Sequence, residues 1–358
     1  MDLYQIFDSK AIAAYWADVN AHMQDTQIGT KYFPVAKQTG LELAWIKGRN
    51  NLPIALQPSA FDTKAPLRDR IGVSEVSTEM PFFREAMRIG EKDRQNIETL
   101  LAKGQDFAAP TIMRIFDDAR NLIDGALVQS ERMRMSLLYS GAIGITATAE
   151  NGRDVSYNYN YDVNNTWAND NNEELLLTAK WTLENSATTD PINDLLDASE
   201  FMQEKYGVRP VEVLMNTTTF KGMIASASIA KAINPLGASS IKLTRNDSKR
   251  FIEDSTGLTI TLYDKQFKDE QGNDVKYYPD GYVTLLPAHP LGNTWYGTTP
   301  EEFDLMSGNV AASVSIVNTG VAVTTIKEAH PVNVQTIVSE IVLPSFEKMD
   351  DIYVIKVF

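Results

Sequence analysis

The chain has 358 residues, no cysteine, and 33 lysines and arginines against 47 aspartates and glutamates, a formal charge of −14. That length accommodates two or three domains with a large core, and the missing cysteines exclude disulfides and thiolate metal sites. The acidic balance argues against a surface built to hold nucleic acid or anionic lipid.

No apolar run approaches the roughly 20 residues that span a bilayer. The opening, MDLYQIFDSKAIAAYW, lacks a basic region followed by a continuous apolar one, so no secretory leader is expected. These features predict a soluble protein, intracellular at synthesis. In residues 1–30, Leu3, Ile6, Phe7, Ile12, Tyr15 and Trp16 fall at loose helical spacing before a polar run from Asn20 to Thr30. Two readings stand: an arm that packs on a neighbouring subunit, or a helix docked on its own domain.

Residues 31–85 change character. Short β-prone runs at 41–46, 54–57 and 73–83 are broken by Gly48, Pro53, Pro58, Pro66 and Gly72. They predict a long two-stranded excursion with little core of its own. Its middle is basic: Lys47, Arg49, Lys64, Arg68 and Arg70 outnumber Asp62 and Asp69. A basic hairpin projecting from an acidic body suits an intermolecular clasp. The competing reading is a solvated charged loop, because isolated surface charges contribute little.

A charged helix over 91–103 stops at Gly104. A longer one follows, with Pro110 near its first turn and its end at about Ser140. Ile112, Ile115, Phe116, Ala119, Leu122, Ile123, Ala126, Leu127, Met133, Leu137 and Leu138 form one continuous stripe, with Gly125 a weak spot. Arg114, Asp117, Asp118, Arg120, Glu131, Arg132 and Arg134 are placed on the opposite, polar face. Such a helix packs across a sheet as a strut.

Strands are expected at 145–150 and 155–162, where Tyr157, Tyr159 and Tyr161 share one face, expected to pack against the long helix. Helices follow at 173–186 and 190–207, the second with Asp190 as N-cap, Pro191 at its first position and Gly207 as stop. A strand at 211–216, a helix at 220–233 and a strand at 258–263 make a β-α-β alternation, hence a compact α/β domain. Residues 264–278 read as a hairpin turning at Gly272–Asn273. The sequence closes on an apolar strand, Ile352 to Phe358, which requires burial in a sheet.

Catalytic signals are scarce. His22, His289 and His330 lack metal-ligand spacing, and no nucleophile elbow, P-loop or dinucleotide fingerprint occurs. Glu301, Glu302 and Asp304 after Pro300 look like the acidic start of a helix or turn. In 162–173, Asp162, Asn164, Thr166, Asp170 and Glu173 fall at offsets like those of a calcium loop. Trp167, however, occupies the position that needs glycine, which favours a solvated loop.

The order arm, long hairpin, long helix, sheet and α/β domain closed by a C-terminal strand resembles the major capsid proteins of tailed bacteriophages, in the group typified by the lambda head protein. The resemblance covers nearly the whole chain; its most specific parts are DRIGVSEVSTEMPFFREAMRI (69–89), VEVLMNTTTFKGMI (211–224), YYPDGYVTLLP (277–287) and PVNVQTIVSEIVLPSFEKMDDIYVIKVF (331–358). It implies an α+β chain of the HK97-type capsid fold. The parts would be an N-terminal arm at 1–30, an E-loop at 31–85 and a P-domain at 86–185 with its spine helix at about 110–140. An A-domain would follow at 186–300, returning P-domain strands at 301–345 and a last A-domain strand at 346–358.

The resemblance further implies hexamers and pentamers in an icosahedral shell, enclosing double-stranded DNA without specific binding. Partners would be further copies of the chain, a scaffolding protein, a portal and a decoration protein, with no membrane, cofactor, metal or catalysis. Assembly would take place in the host bacterial cytoplasm and the product would be the virion. The E-loop would lie over a neighbour, so Lys47, Arg49, Lys64, Arg68 and Arg70 become candidate inter-subunit contacts. The alternatives are an encapsulin-like compartment shell, or an intracellular α/β enzyme with a site near 287–304 gathering His289, Glu301 or Asp304.

Overall fold

The structure is a computed structural model that describes residues 7–21, 27–47, 74–103, 105–148, 154–235, 244–308, 313–329 and 332–358. Along the chain, helices α1 (Ser9–Ala21) and α2 (Gly29–Tyr32) precede strands β1 (Val35–Lys37), β2 (Glu42–Lys47), β3 (Ser74–Glu79) and β4 (Phe82–Ile89). Helices α3 (Glu91–Lys103) and α4 (Gln105–Ser140) lead to the hairpin β5 (Ala142–Thr148) and β6 (Asp154–Asn160). Then come α5 (Thr166–Asp170), β7 (Asn172–Glu174), α6 (Pro191–Tyr206), β8 (Glu212–Met215), α7 (Thr217–Ile224), α8 (Ala227–Ile233) and α9 (Arg245–Thr256). Strands β9 (Thr259–Leu262), β10 (Gln266–Lys268), β11 (Asp274–Lys276), β12 (Tyr282–Leu286) and β13 (Thr294–Tyr296) follow. The chain ends with α10 (Pro300–Ser307), β14 (Ser313–Val317), β15 (Val321–Ala329), β16 (Val332–Pro344), a 3-10 turn (Met349–Asp351) and β17 (Tyr353–Lys356).

These elements fall into two compact units. The first comprises Met1–Ala44, Ser77–Arg134 and Asn293–Ser345. Its sheet runs β1-β13-β16-β15-β14. One edge of the 13-residue β16 is shared: β4 pairs along Val334–Ile341 and β13 takes Val342–Pro344. Ala119, Leu122, Ile123 and Ala126 of the long helix pack on Val317, Val321, Val323 and Val338 of the sheet, with Ile12 of α1 in the same cluster. Each fully buried aliphatic side chain there contributes about 1.5–3 kcal/mol. Helix α1 docks on its own unit: Trp16 Nε1 donates to Asp124 Oδ1 at 3.1 Å and Tyr15 OH donates to Asp117 Oδ1 at 2.7 Å.

The second unit comprises Trp45–Val76, Met135–Gly292 and Phe346–Phe358. Its sheet runs β7-β17-β12-β8-β9, so the C-terminal strand is interior, parallel to β7 and antiparallel to β12. Val354, Ile355 and Val357 are fully buried, as an apolar terminus requires. Val213, Met215, Ile260, Val283 and Leu285 of this sheet share one core with Leu195 and Met202 of α6, Phe220 of α7, Ile229 of α8 and Ile252 of α9.

Two expectations give way here. Residues 173–186 form no helix: after β7 the segment continues in turns and bends. The sheet edge outcompetes helical hydrogen bonding, because Leu175 N–H donates to Lys356 O and Trp181 N–H to Val357 O. The expected helix at 220–233 is two helices, because Ser226 donates its hydroxyl to Thr189 O at 2.6 Å and accepts from Ser228 N–H, capping α8. Tyr161 stacks on Trp45 at 5.3 Å, and Phe346 meets it edge-on; neither neighbour belongs to the long helix. Helix α9, capped by Thr244 and ended by left-handed Gly257, is an element that the sequence pattern does not announce.

Candidate functional site

The candidate clasp begins from a firmly held base. Strands β2 and β3 pair, and Leu43 and Met80 are buried. Met80 N–H donates to Leu41 O at 2.8 Å and Gln38 N–H to Tyr296 O at 2.9 Å. Gly297 is packed against Met80, Ile341 and Gly40 O so closely that a Cβ would not fit. Lys47 is the last residue of β2. Arg49, Lys64, Arg68 and Arg70 lie outside the described residues, as do the expected strand at 54–57, His22 and His330.

On the first unit, α10 stands out for what it does not bury. Thr299 caps it, accepting from Glu302 N–H, Pro300 opens it and left-handed Gly308 ends it. Its first turn is tied to the sheet: Arg84 pairs with Glu301, which also accepts from Ser339 Oγ at 3.0 Å. Lys37 Nζ donates to Glu302 Oε2 at 2.5 Å. None of its eight residues is buried. The same unit has a groove of about 780 Å³ lined by Met87, Arg88, Asp93, Leu100, Arg114 and Ile115 among others.

The residues named for an enzyme site have separate partners. His289 Nε2 lies 2.7 Å from Asp351 Oδ2, Glu301 is held by Arg84, and Asp304 is exposed on α10. None of the three lines the groove. In the oxygen-rich segment 162–173, residues 163–166 and 169 are exposed, as a solvated loop requires, and the short α5 forms within it. Asp162 Oδ2 accepts from Ala168 N–H at 2.8 Å, Asp170 pairs with Lys205 and Trp167 is buried. Asn171 donates to the carbonyls of Asp350 and Ile352. Among the described residues, no group of three His, Cys, Asp or Glu side chains is placed to hold a metal ion.

Comparison with known proteins decides the family. The sequence profile described as phage major capsid protein E matches residues 8–357. This chain belongs to that family. A search of curated protein sequences finds no match. Among solved structures, the putative capsid protein of a prophage of Escherichia coli CFT073 is similar at a TM-score of 0.60 and 13% identity, covering 98% of this chain and 99% of that one. A phage-related protein from Bordetella bronchiseptica RB50 matches at a TM-score of 0.52 and 12% identity, over 98% and 97% of the two chains. The fold is the HK97-type capsid fold, and the protein is a subunit of the icosahedral head shell.

Two features of this capsid protein escaped sequence reasoning. Glu131 and Arg134, expected on the polar face of the long helix, are buried. Toward its C-terminal end that helix is enclosed on several sides, since Ser130, Met133, Met135, Leu137 and Leu138 are buried too. Gly29 N–H donates to Glu131 Oε1 at 3.1 Å, and side-chain atoms of Glu131 and Arg134 leave no room for a Cβ at Gly29. Arg134 donates Nε to Thr294 Oγ1 at 2.8 Å and lies 3.4 Å from Glu131. Glu340 is fully enclosed in β16, and neither of its carboxyl oxygens is hydrogen-bonded among the described residues. Burial holds its carboxyl well above the ordinary range against the pull of Arg134. The same burial, with Glu340, raises Tyr296 to about 12.

The second feature is Asp194 on α6, which accepts from Trp181 Nε1 at 2.8 Å and so pins the turns after β7. Burial raises its carboxyl to about 6, the Trp181 hydrogen bond opposes the shift, and Asp190, Glu173 and Asp197 add to it. Period and charge gave no signal for either site, because both depend on which helix flank becomes covered.

Proposed function

We propose that this capsid protein assembles as hexamers and pentamers in which the basic stretch, carrying Lys47, Arg49, Lys64, Arg68 and Arg70, clasps a neighbouring copy. The observation that carries this reading is the anchored β2–β3 base, from which a stretch richer in cations than anions issues in a chain of charge −14. In this reading the arm is 1–30, the E-loop 31–85, the P-domain 86–185 and 301–345, and the A-domain 186–300 with 346–358. A scaffolding protein and a portal guide assembly in the host cytoplasm. Double-stranded DNA is enclosed without specific binding, consistent with the acidic balance. The subunit carries out no catalysis.

The test is electron microscopy and light scattering of purified wild type beside an Arg68→Glu/Arg70→Glu variant. Wild type is expected to give rings, sheets or shells, and the variant at least a tenfold lower yield of them. Equal yields would remove the clasp from the reading.

A further inference from the structure

Both ends of α2 depend on one arginine. At its first residue, Gly29 N–H donates to Glu131 Oε1 at 3.1 Å, and Glu131 Oε2 lies 3.4 Å from Arg134 Nη1. Just past its last residue, Thr294 Oγ1 donates to Phe33 O at 2.9 Å while accepting from Arg134 Nε at 2.8 Å. A Cβ on Gly29 would collide with Glu131 Oε2 and Arg134 Cδ, so α2 is seated directly on this pair.

The site holds one guanidinium and two carboxyl groups. Glu131, Arg134 and Glu340 are 0%, 2% and 1% exposed, and neither carboxyl oxygen of Glu340 is hydrogen-bonded among the described residues. A closed volume of low dielectric tolerates an ion pair far better than an unpaired charge, so the second carboxyl is at rest only with its proton on. Around Glu340, α4 brings Glu131 and Arg134, and β13 brings the Tyr296 phenol, bonded to Ser130 Oγ at 2.8 Å. β4 sets Phe83 opposite it, and Arg84, next along that strand, is already paired with Glu301. β15 sets the uncharged Ala322 opposite the preceding Ser339. Arg134 is thus the cation that acts on the Glu340 carboxyl, and burial outweighs its pull.

We propose that Glu131, Arg134 and Glu340 form a proton-operated latch that holds α2 on the long helix. With Glu340 protonated, Arg134 serves Glu131 and Thr294, and both ends of α2 are tied. Loss of that proton to solvent creates a second anion, which competes for the same guanidinium. Turning Arg134 toward Glu340 weakens the Thr294 bond and leaves Glu131 without its counter-ion, so both ties slacken together. The latch is closed below the ordinary glutamate value of 4.5 and loosens as pH rises from there. In the chain α2 stands between α1, which packs on the sheet, and β1, which pairs with β13. The latch therefore sets how firmly the N-terminal elements are held, independently of the clasp proposed above.

Hydrogen exchange read by mass spectrometry tests it, on the full wild-type chain and on Glu340→Gln, which is uncharged at every pH. Intrinsic exchange speeds up equally in both chains as pH rises, so their ratio at each pH isolates Glu340. In the peptide spanning 27–37, wild type should match the variant at pH 4 and exchange roughly tenfold faster than it by pH 9. The peptide over α6, in the other unit, should keep a ratio of one throughout. A flat ratio at 27–37 overturns the latch. So does a rise shared equally by α3 and β14, because Glu340 would then only stabilise its unit as a whole. Glu340→Met, of similar volume, repeats the comparison with the same two overturning results should the first variant fail to fold.

Discussion

At the scale of single residues, the buried carboxylates make the sharpest predictions. Asp194 holds its proton more tightly folded, at about 6, than its ordinary value of 3.8. Stability from this group is therefore fully present below about pH 4 and is lost as pH rises through 6. Asn in its place still accepts from Trp181 and carries no charge. Asp194→Asn is expected to match wild type at pH 4 and to be more stable at pH 7 by about 1–2 kcal/mol, after discounting for partial exposure. Urea titrations at the two pH values measure it. Glu340 is the enclosed counterpart: burial raises its carboxyl, so its contribution is fully present below the ordinary value of 4.5 and is lost as pH rises from there through the raised value. Glu340→Gln should match wild type at pH 4 and lose less Tm than wild type as pH is raised from there. An equally steep decline in the variant would show that another group is responsible.

Two glycines show how the elements set the sign of one substitution. Gly125 lies inside α4, and nothing stands within 4 Å of the place a Cβ would take, so Gly125→Ala should stabilise by up to about 1 kcal/mol. Gly222 lies inside α7, but a Cβ there would strike the Trp181 carbonyl, and backbone cannot swing away as a side chain can. Gly222→Ala should therefore destabilise by about 1–3 kcal/mol; thermal melts of the pair decide the contrast. The last strand is the larger case. Deleting residues 353–358 removes an interior strand and, besides Tyr353, three fully buried aliphatic side chains worth about 5–9 kcal/mol, comparable with the whole stability of a domain. Soluble expression of that truncation should collapse. Stops were legible at this scale: Pro191 and Gly207 bound α6, although the expected cap Asp190 accepts from the Asn193 side chain and not from a backbone N–H, and left-handed Gly272 turns the β10–β11 hairpin as expected. The helix expected at 173–186 was not, since its apolar spacing competes with a sheet edge that lies far away in sequence.

For the whole molecule, family membership makes self-association the property to explain, and the clasp proposed above is the candidate surface for it. If charge steers the contact, assembly yield should fall steeply with salt, because exposed ion pairs are screened beyond about 8 Å at 0.15 M ionic strength. The Arg68→Glu/Arg70→Glu variant should assemble less readily than wild type at low salt and approach it at high salt. Sedimentation across a salt series measures both.

The order of parts is written in the chain alone: an N-terminal helix, a strand pair around a basic excursion, one long striped helix, an α/β region and a final strand that had to be interior. Those follow from period, caps and apolar runs, which are local and so readable along the chain. Folding in three dimensions was needed to bring Glu131, Arg134 and Glu340 into one buried cluster, to turn Trp181 inward to Asp194, and to leave Phe303 and Met306 exposed on α10. Each of these depends on which segments distant in sequence come to lie against one another. Burial, which sets the energy of a charge or an apolar side chain, is a property of that arrangement and not of the residue.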